Sequence, residues 1–180
     1  VYEGADAVML SAESAAGAYP VEAESTMNAI AERVEQDQYY RSIINAQRPA
    51  AEATGADAIS MACRQVAETL DLSAIVCFTA SGTTGMRMSR ERPTTPILAS
   101  SPISRTVRRL ALVWGVHCVV SPDVDDLDAM VDRACAAAFD ESYAQPGERV
   151  IITAGVPLKT PGTTNMLRVA YISSDGRGGV

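Results

Sequence analysis

The sequence contains one histidine, His117, one lysine, Lys159, and four cysteines, Cys63, Cys77, Cys118 and Cys135, with no C-x-x-C pair among them. A zinc centre needs closely spaced pairs of ligands, and His117 has only Cys118 beside it, so no metal site is expected. The cysteines sit in apolar surroundings such as Ala74-Ile75-Val76-Cys77-Phe78 and read as small buried hydrophobes of a reducing compartment. No stretch approaches the roughly 18 apolar residues of a membrane span. Fifteen basic residues against 22 acidic ones give a net charge of −7, an unfavourable field for approaching nucleic acid or an anionic membrane. Neither partner is expected. The chain opens on Val1 with no initiator methionine, basic leader or apolar signal core, and is expected to begin partway through a longer polypeptide.

What is present is the material of a soluble globular fold. The 180 residues are 47% hydrophobic and 21% charged, enough for a sizeable core in one domain plus a piece of another. Charge is spread unevenly: residues 1–37 hold eight acids and one base, Arg33, whereas residues 72–122 hold six arginines (87, 90, 92, 105, 108 and 109) and one acid, Glu91. An ordinary solvated or salt-bridged surface is one reading of this basic island. A glycine-bearing turn beside it opens another.

Apolar spacing predicts a short run at Ala7–Leu10, then a helix after Pro20 carrying Val21, Met27, Ile30 and Val34 on one face. Tyr39 to Pro49 reads as a linker, and a second helix spans roughly Ala53 to Leu70. Four strand-like runs follow, Ala74–Phe78, Pro96–Ala99, His117–Val120 and Val150–Thr153. The segments between them, roughly Gly82–Arg90, Pro102–Leu112 and Val124–Phe139, each have room for one helix. Such alternation implies right-handed crossovers and a mainly parallel sheet with helices on both faces. A fifth run, Leu167–Ile172, comes too soon after the fourth for a crossover helix. It is expected to be antiparallel and at or near an edge, and the glycine-rich tail 173–180 is expected to fray.

In an open α/β sheet, ligands bind where the carboxyl ends of the strands meet helix N-termini. The first strand runs into Thr79-Ala80-Ser81-Gly82-Thr83-Thr84-Gly85, in which backbone N–H groups, hydroxyls and close backbone approach all suit a phosphate. An ordinary helix cap would also use these residue types. The loop after the fourth strand, Gly155 to Asn165, is again rich in Gly and Thr, belongs to the same end of the sheet and holds Lys159. Two such loops on one edge favour an anion site. Neither is a Walker A or G-x-G-x-x-G loop, which disfavours a nucleotide-dependent oxidoreductase.

Gly4-Ala5-Asp6-Ala7-Val8-Met9-Leu10-Ser11-Ala12-Glu13-Ser14-Ala15-Ala16-Gly17-Ala18-Tyr19-Pro20 resembles the pyruvate kinase segment G-A-D-x-x-M-L-S-G-E-T-A-x-G-x-Y-P. Arg90-Glu91-Arg92-Pro93, Trp114-Gly115-Val116, Pro146-Gly147 and Thr164-Asn165-Met166-Leu167-Arg168-Val169 resemble later landmarks of that family in the same order. The resemblance covers essentially the whole chain. It implies that residues 1–45 are the last strand and helix of a (β/α)8 barrel and residues 46–180 the C-terminal allosteric α/β domain. The fold class expected is therefore α/β, a five-stranded, mainly parallel sheet with an antiparallel last strand, preceded by a barrel remnant.

By the same resemblance, Ser11 and Glu13 lie near the active-site end of the barrel, although a helix-entry cap explains them as well. Thr79, Ser81, Gly82, Thr83 and Thr84 match the effector-phosphate loop, and Lys159, Gly162 and Thr163 belong to a second effector loop. Ala80 and Thr83 stand where fructose-bisphosphate-regulated members tend to place basic residues. AMP or a sugar monophosphate is therefore favoured over fructose bisphosphate. The resemblance further implies a cytoplasmic glycolytic transferase, homotetrameric when intact, that makes pyruvate and ATP from phosphoenolpyruvate and ADP with magnesium and potassium. No cofactor is expected in this chain, and on its own it is expected to be inactive. The alternative is a freestanding phosphate-binding or interaction module without catalysis.

Overall fold

A computed structural model describes residues 1–160 and 162–179. The chain forms two compact units, Val1–Pro49 and Ala50–Val180.

The first unit holds helices α1 (Ala12–Ala15), α2 (Pro20–Glu35) and α3 (Tyr40–Ala46). Pro20 occupies the first turn of α2, where its missing N–H costs nothing and its fixed φ suits the helix. The stretch read as a linker is not one: it contains α3, with Tyr40 and Ile44 buried. The run expected as a barrel strand is also corrected, since residues 7–10 adopt no strand. An extended segment needs a neighbour to take its N–H and C=O groups, and among the described residues of this unit there is no strand to pair with. Val8 and Met9 are exposed there, as are Val21 and Ile30 of α2. Of the strand and helix expected in residues 1–45, the helix after Pro20 forms and the strand does not.

In the second unit, α4 (Gly55–Leu70) is followed by β1 (Ala74–Phe78), α5 (Thr83–Arg90), β2 (Ile97–Ser101), α6 (Ser104–Leu110), β3 (Val116–Val120), α7 (Leu127–Asp140), β4 (Arg149–Gly155), β5 (Thr164–Ile172) and β6 (Gly178–Gly179). The five expected strands all form, and the helices between them lie within a few residues of their expected places. The strand order is β3-β2-β1-β4-β5-β6. β1 pairs parallel with β2 and with β4, and β2 pairs parallel with β3. β5 runs antiparallel to β4. The tail does not fray as expected: Ser173 N–H reaches the Arg177 carbonyl at 2.8 Å, and the turn returns as β6 against β5, making the sheet six-stranded.

Both faces are covered, which is why the parallel strands read as continuous apolar runs and not as alternating ones. Cys63, Ala67, Ile75, Cys77, Met88, Ile97 and Ile151 form the core beneath α4 and α5. Val76, Leu98, Met130, Ala134, Cys135, Val150 and Ile152 form the other, beneath α7. The cysteines are free thiols, and burial pushes Cys63 and Cys135 up to about 11. Caps set the helix starts: the Thr54 hydroxyl accepts the Asp57 N–H at 3.2 Å and the Asp126 carboxylate accepts the Ala129 N–H at 2.8 Å.

This order has one functional consequence. From β1 the chain crosses outward to β2 and β3, then returns through α7 to β4 on the other side of β1. Adjacent strands whose following loops diverge leave a crevice at their carboxyl ends.

Candidate functional site

That crevice is a cavity of about 230 Å3. Its walls come from four loops. Thr79, Ser81, Thr83 and Thr84 follow β1, Ser100 and Pro102 end β2, Ser121 and Asp123 follow β3, and Lys159, Thr160, Gly162, Thr163 and Thr164 follow β4.

The first loop is shaped by internal hydrogen bonds. The Thr79 hydroxyl accepts the Gly82 N–H at 2.9 Å, and the hydroxyls of Ser81 and Thr83 lie 2.9 Å apart. Gly82 is not part of the cavity wall. Its φ of +90° turns the chain into α5, a backbone conformation that favours glycine, and a Cβ there would meet the flexible end of Arg109 at 3.0 Å. From α6, the Thr106 hydroxyl donates to the Ala80 carbonyl at 2.8 Å and Arg109 donates to the Ser81 carbonyl. The loop is therefore braced from outside and presents its hydroxyls and the first turn of α5 to the cavity.

The second loop is closed at its base. Asn165 accepts the Val156 N–H through Oδ1 at 2.8 Å and donates to the Val156 carbonyl at 2.6 Å. The Thr163 hydroxyl donates to the Thr160 carbonyl at 2.7 Å. Lys159 has a φ of +64° and pairs with Asp125. The bond to Asp125 raises the lysine above its ordinary value and lowers the aspartate. Both side chains are at least half exposed, so this cation is screened and already matched.

Several cavity residues carry no sequence signature. Arg87, on α5, pairs with Asp57 and approaches Glu52 at 3.5 Å. Asp57 is fully buried and also takes Arg90 and the Glu52 N–H at 2.8 Å. Burial opposes its charge, yet the Glu52 N–H and the guanidiniums of Arg90 and Arg87 hold its carboxyl below the ordinary aspartate value. Ser121 is 7% exposed, and its hydroxyl has no hydrogen-bond partner among the described residues. A buried polar atom of this kind is costly unless something else satisfies it.

Ser11 and Glu13 lie in the first unit, exposed, with the Glu13 carboxylate accepting the Ser11 N–H at 3.1 Å. Backbone N–H groups at Glu13 itself and at Ser11 hold that carboxyl below its ordinary value. Ser11 is the N-cap residue of α1, without a side-chain cap bond of its own.

Residues 57–170 match a family model described as the pyruvate kinase alpha/beta domain. The chain belongs to the pyruvate kinase family. It is 52% identical to a pyruvate kinase of Methylorubrum extorquens over 97% of this chain and 37% of that protein. It is 46% identical to one of Agrobacterium vitis, over 94% of this chain and 36% of that protein. A pyruvate kinase of Geobacillus stearothermophilus is 43% identical over 96% of this chain and 30% of its own length. The chain thus spans 30–37% of the length of these pyruvate kinases. All four cavity loops lie inside the matched alpha/beta domain, whereas Ser11 and Glu13 precede it.

Proposed function

We propose that this chain is the C-terminal regulatory part of a cytoplasmic pyruvate kinase and that its cavity holds a phosphorylated effector. The observation that carries this reading is the convergence of two hydroxyl-rich loops on one crevice at the N-terminus of α5. The first N–H groups of a helix lack intrahelical partners and sit at its positive end, so an anion there gains hydrogen bonds and field together. Asp123, which also lines the cavity, would repel a second phosphate. This favours AMP or a sugar monophosphate over fructose bisphosphate.

In the intact polypeptide, residues 1–45 would close a barrel whose other strands supply the neighbours that Val8–Leu10 lack, and residues 46–180 would form the regulatory domain. The enzyme would be a homotetramer transferring the phosphoryl group of phosphoenolpyruvate to ADP in glycolysis. An effector acts by binding one quaternary state more tightly than another. Magnesium and potassium are implied for that reaction. Among the described residues no group of three or more histidine, cysteine or acidic side chains gathers, and the ligands of both ions would come from the rest of the intact polypeptide. Phosphoryl transfer needs a metal and cationic clamp, and the 180-residue chain alone is expected not to turn over.

The test is calorimetric titration of AMP and of sugar phosphates into the chain and its Ser81→Asp variant, whose fixed negative charge should repel a phosphate. Saturable binding lost in the variant supports the reading. Equal affinity in both removes the cavity from consideration.

A further inference from the structure

Resting on the reading of the cavity as a phosphate site, we propose that Arg87 is the cation that reads the phosphate, Asp57 its positioning residue, and Glu52 the carboxylate that the phosphate displaces. Arg87 follows Thr83 by four residues and Thr84 by three, so all three share one face of α5. Long helical side chains lean toward the helix N-terminus, and Arg87 lines the same cavity as Thr83 and Thr84. It remains only 24% exposed, against 52% for Lys159.

Its two carboxylate partners are bound unequally. Asp57 is fully buried, with Arg87 and Arg90 both on its carboxylate, and a buried carboxylate cannot be released without leaving an uncompensated charge. Glu52 is 58% exposed and lies 3.5 Å from Arg87 and 3.9 Å from Arg90. Such a rim pair is weak, and its carboxylate returns to water at little cost. Two guanidiniums against two carboxylates leave this cluster balanced, so an arriving phosphate gains most by taking the place of Glu52.

The remaining donors of Arg87 suit it. A guanidinium offers five N–H groups in a planar fork, so one edge can stay on Asp57 while another meets a phosphate with charge-assisted bonds. Lys159 stands on the β4–β5 loop with Asp125 already on its ammonium. The helix-mounted arginine is the pre-positioned cation of the two.

The experiment is calorimetric titration of AMP and of inorganic phosphate into the 180-residue chain and its Arg87→Gln, Arg87→Lys and Glu52→Gln variants. Arg87→Gln should weaken AMP by about 10-fold or more, as loss of a charged hydrogen bond does, and Arg87→Lys should recover part of that loss. Glu52→Gln removes the internal competitor and should tighten both probes about two- to fivefold. Because Glu52 is exposed, this variant folds even where an Arg87 variant does not. Wild-type affinity in Arg87→Gln, or no tightening in Glu52→Gln, overturns the assignment while leaving the cavity as the phosphate site. If the wild type binds neither probe, the cavity reading and this assignment fall together.

Discussion

The hydroxyls of Thr84 and Thr164 lie 2.9 Å apart across 80 residues of chain. Thr84 is in the first turn of α5 and Thr164 is the first residue of β5, so this bond ties the helix that would face an anion to the strand that closes the second loop. Either oxygen can donate, and the pair is part-buried.

Replacing either threonine by valine keeps the shape and removes the bond. Each single variant should lose about 1 kcal/mol of stability. The double-mutant cycle should give a coupling of about 0.5–1.5 kcal/mol, the range expected of directly bonded neighbours. Chemical denaturation of the four proteins measures it. Strict additivity would mean that the two loops do not depend on each other through this contact.

Gly155 ends β4 where the second loop begins, and a Cβ on it would lie 2.4 Å from the Thr163 hydroxyl and 2.9 Å from the Thr163 carbonyl oxygen. The carbonyl is backbone and cannot rotate away. Gly155→Ala should therefore cost about 1–3 kcal/mol, as overpacking does, and should weaken AMP binding by displacing Thr163. A thermal melt paired with a titration decides it. Wild-type stability and affinity would show that the loop has room that the structure denies it.

Much of this fold was legible in the sequence. β1 was placed residue for residue because a strand buried on both faces is an unbroken apolar run, here Ala74 to Phe78, stopped by the polar turn after it. The fifth strand reads as antiparallel because it follows the fourth too soon for a crossover helix, and only residues 156–163 separate β4 from β5. α3 was missed because a seven-residue helix just before a proline gives no periodicity to count. The strand expected at Val8–Leu10 failed for the opposite reason, since an apolar run marks only a candidate and pairing needs a neighbour. In the cavity, the Gly/Ser/Thr loops announced themselves by composition. Arg87 and Ser121 did not, because they reach the site through helix phase and strand order, which no local motif records, and neither did Asp57, which pairs with Arg87 from behind.

The Asp57 cluster makes acid stability predictable. A carboxyl held below its ordinary value in the folded state contributes stability above its unfolded pKa, about 3.9, and loses it as pH falls through the folded value. Asp57→Asn should therefore lower stability at pH 7 by about 2 kcal/mol, less than a fully buried pair would lose, because Arg87 and Arg90 retain some exposure. The difference from wild type should shrink below about pH 4. Melting temperatures from pH 7 to pH 2.5 check the sign. A gap that stays constant or widens in acid would show that the carboxylate is not what holds α4 to α5.

The central claim is that the crevice between β1 and β4 binds a phosphate monoester, and amide chemical-shift mapping tests it most directly. AMP titrated into the isotope-labelled chain should shift the backbone amides of residues 79–85 and of the non-proline residues of 155–164 saturably, with one dissociation constant shared by the two loops. Sugar monophosphates should reproduce the pattern. Saturable shifts elsewhere with these two loops unmoved, or no saturable shift at all, would contradict it.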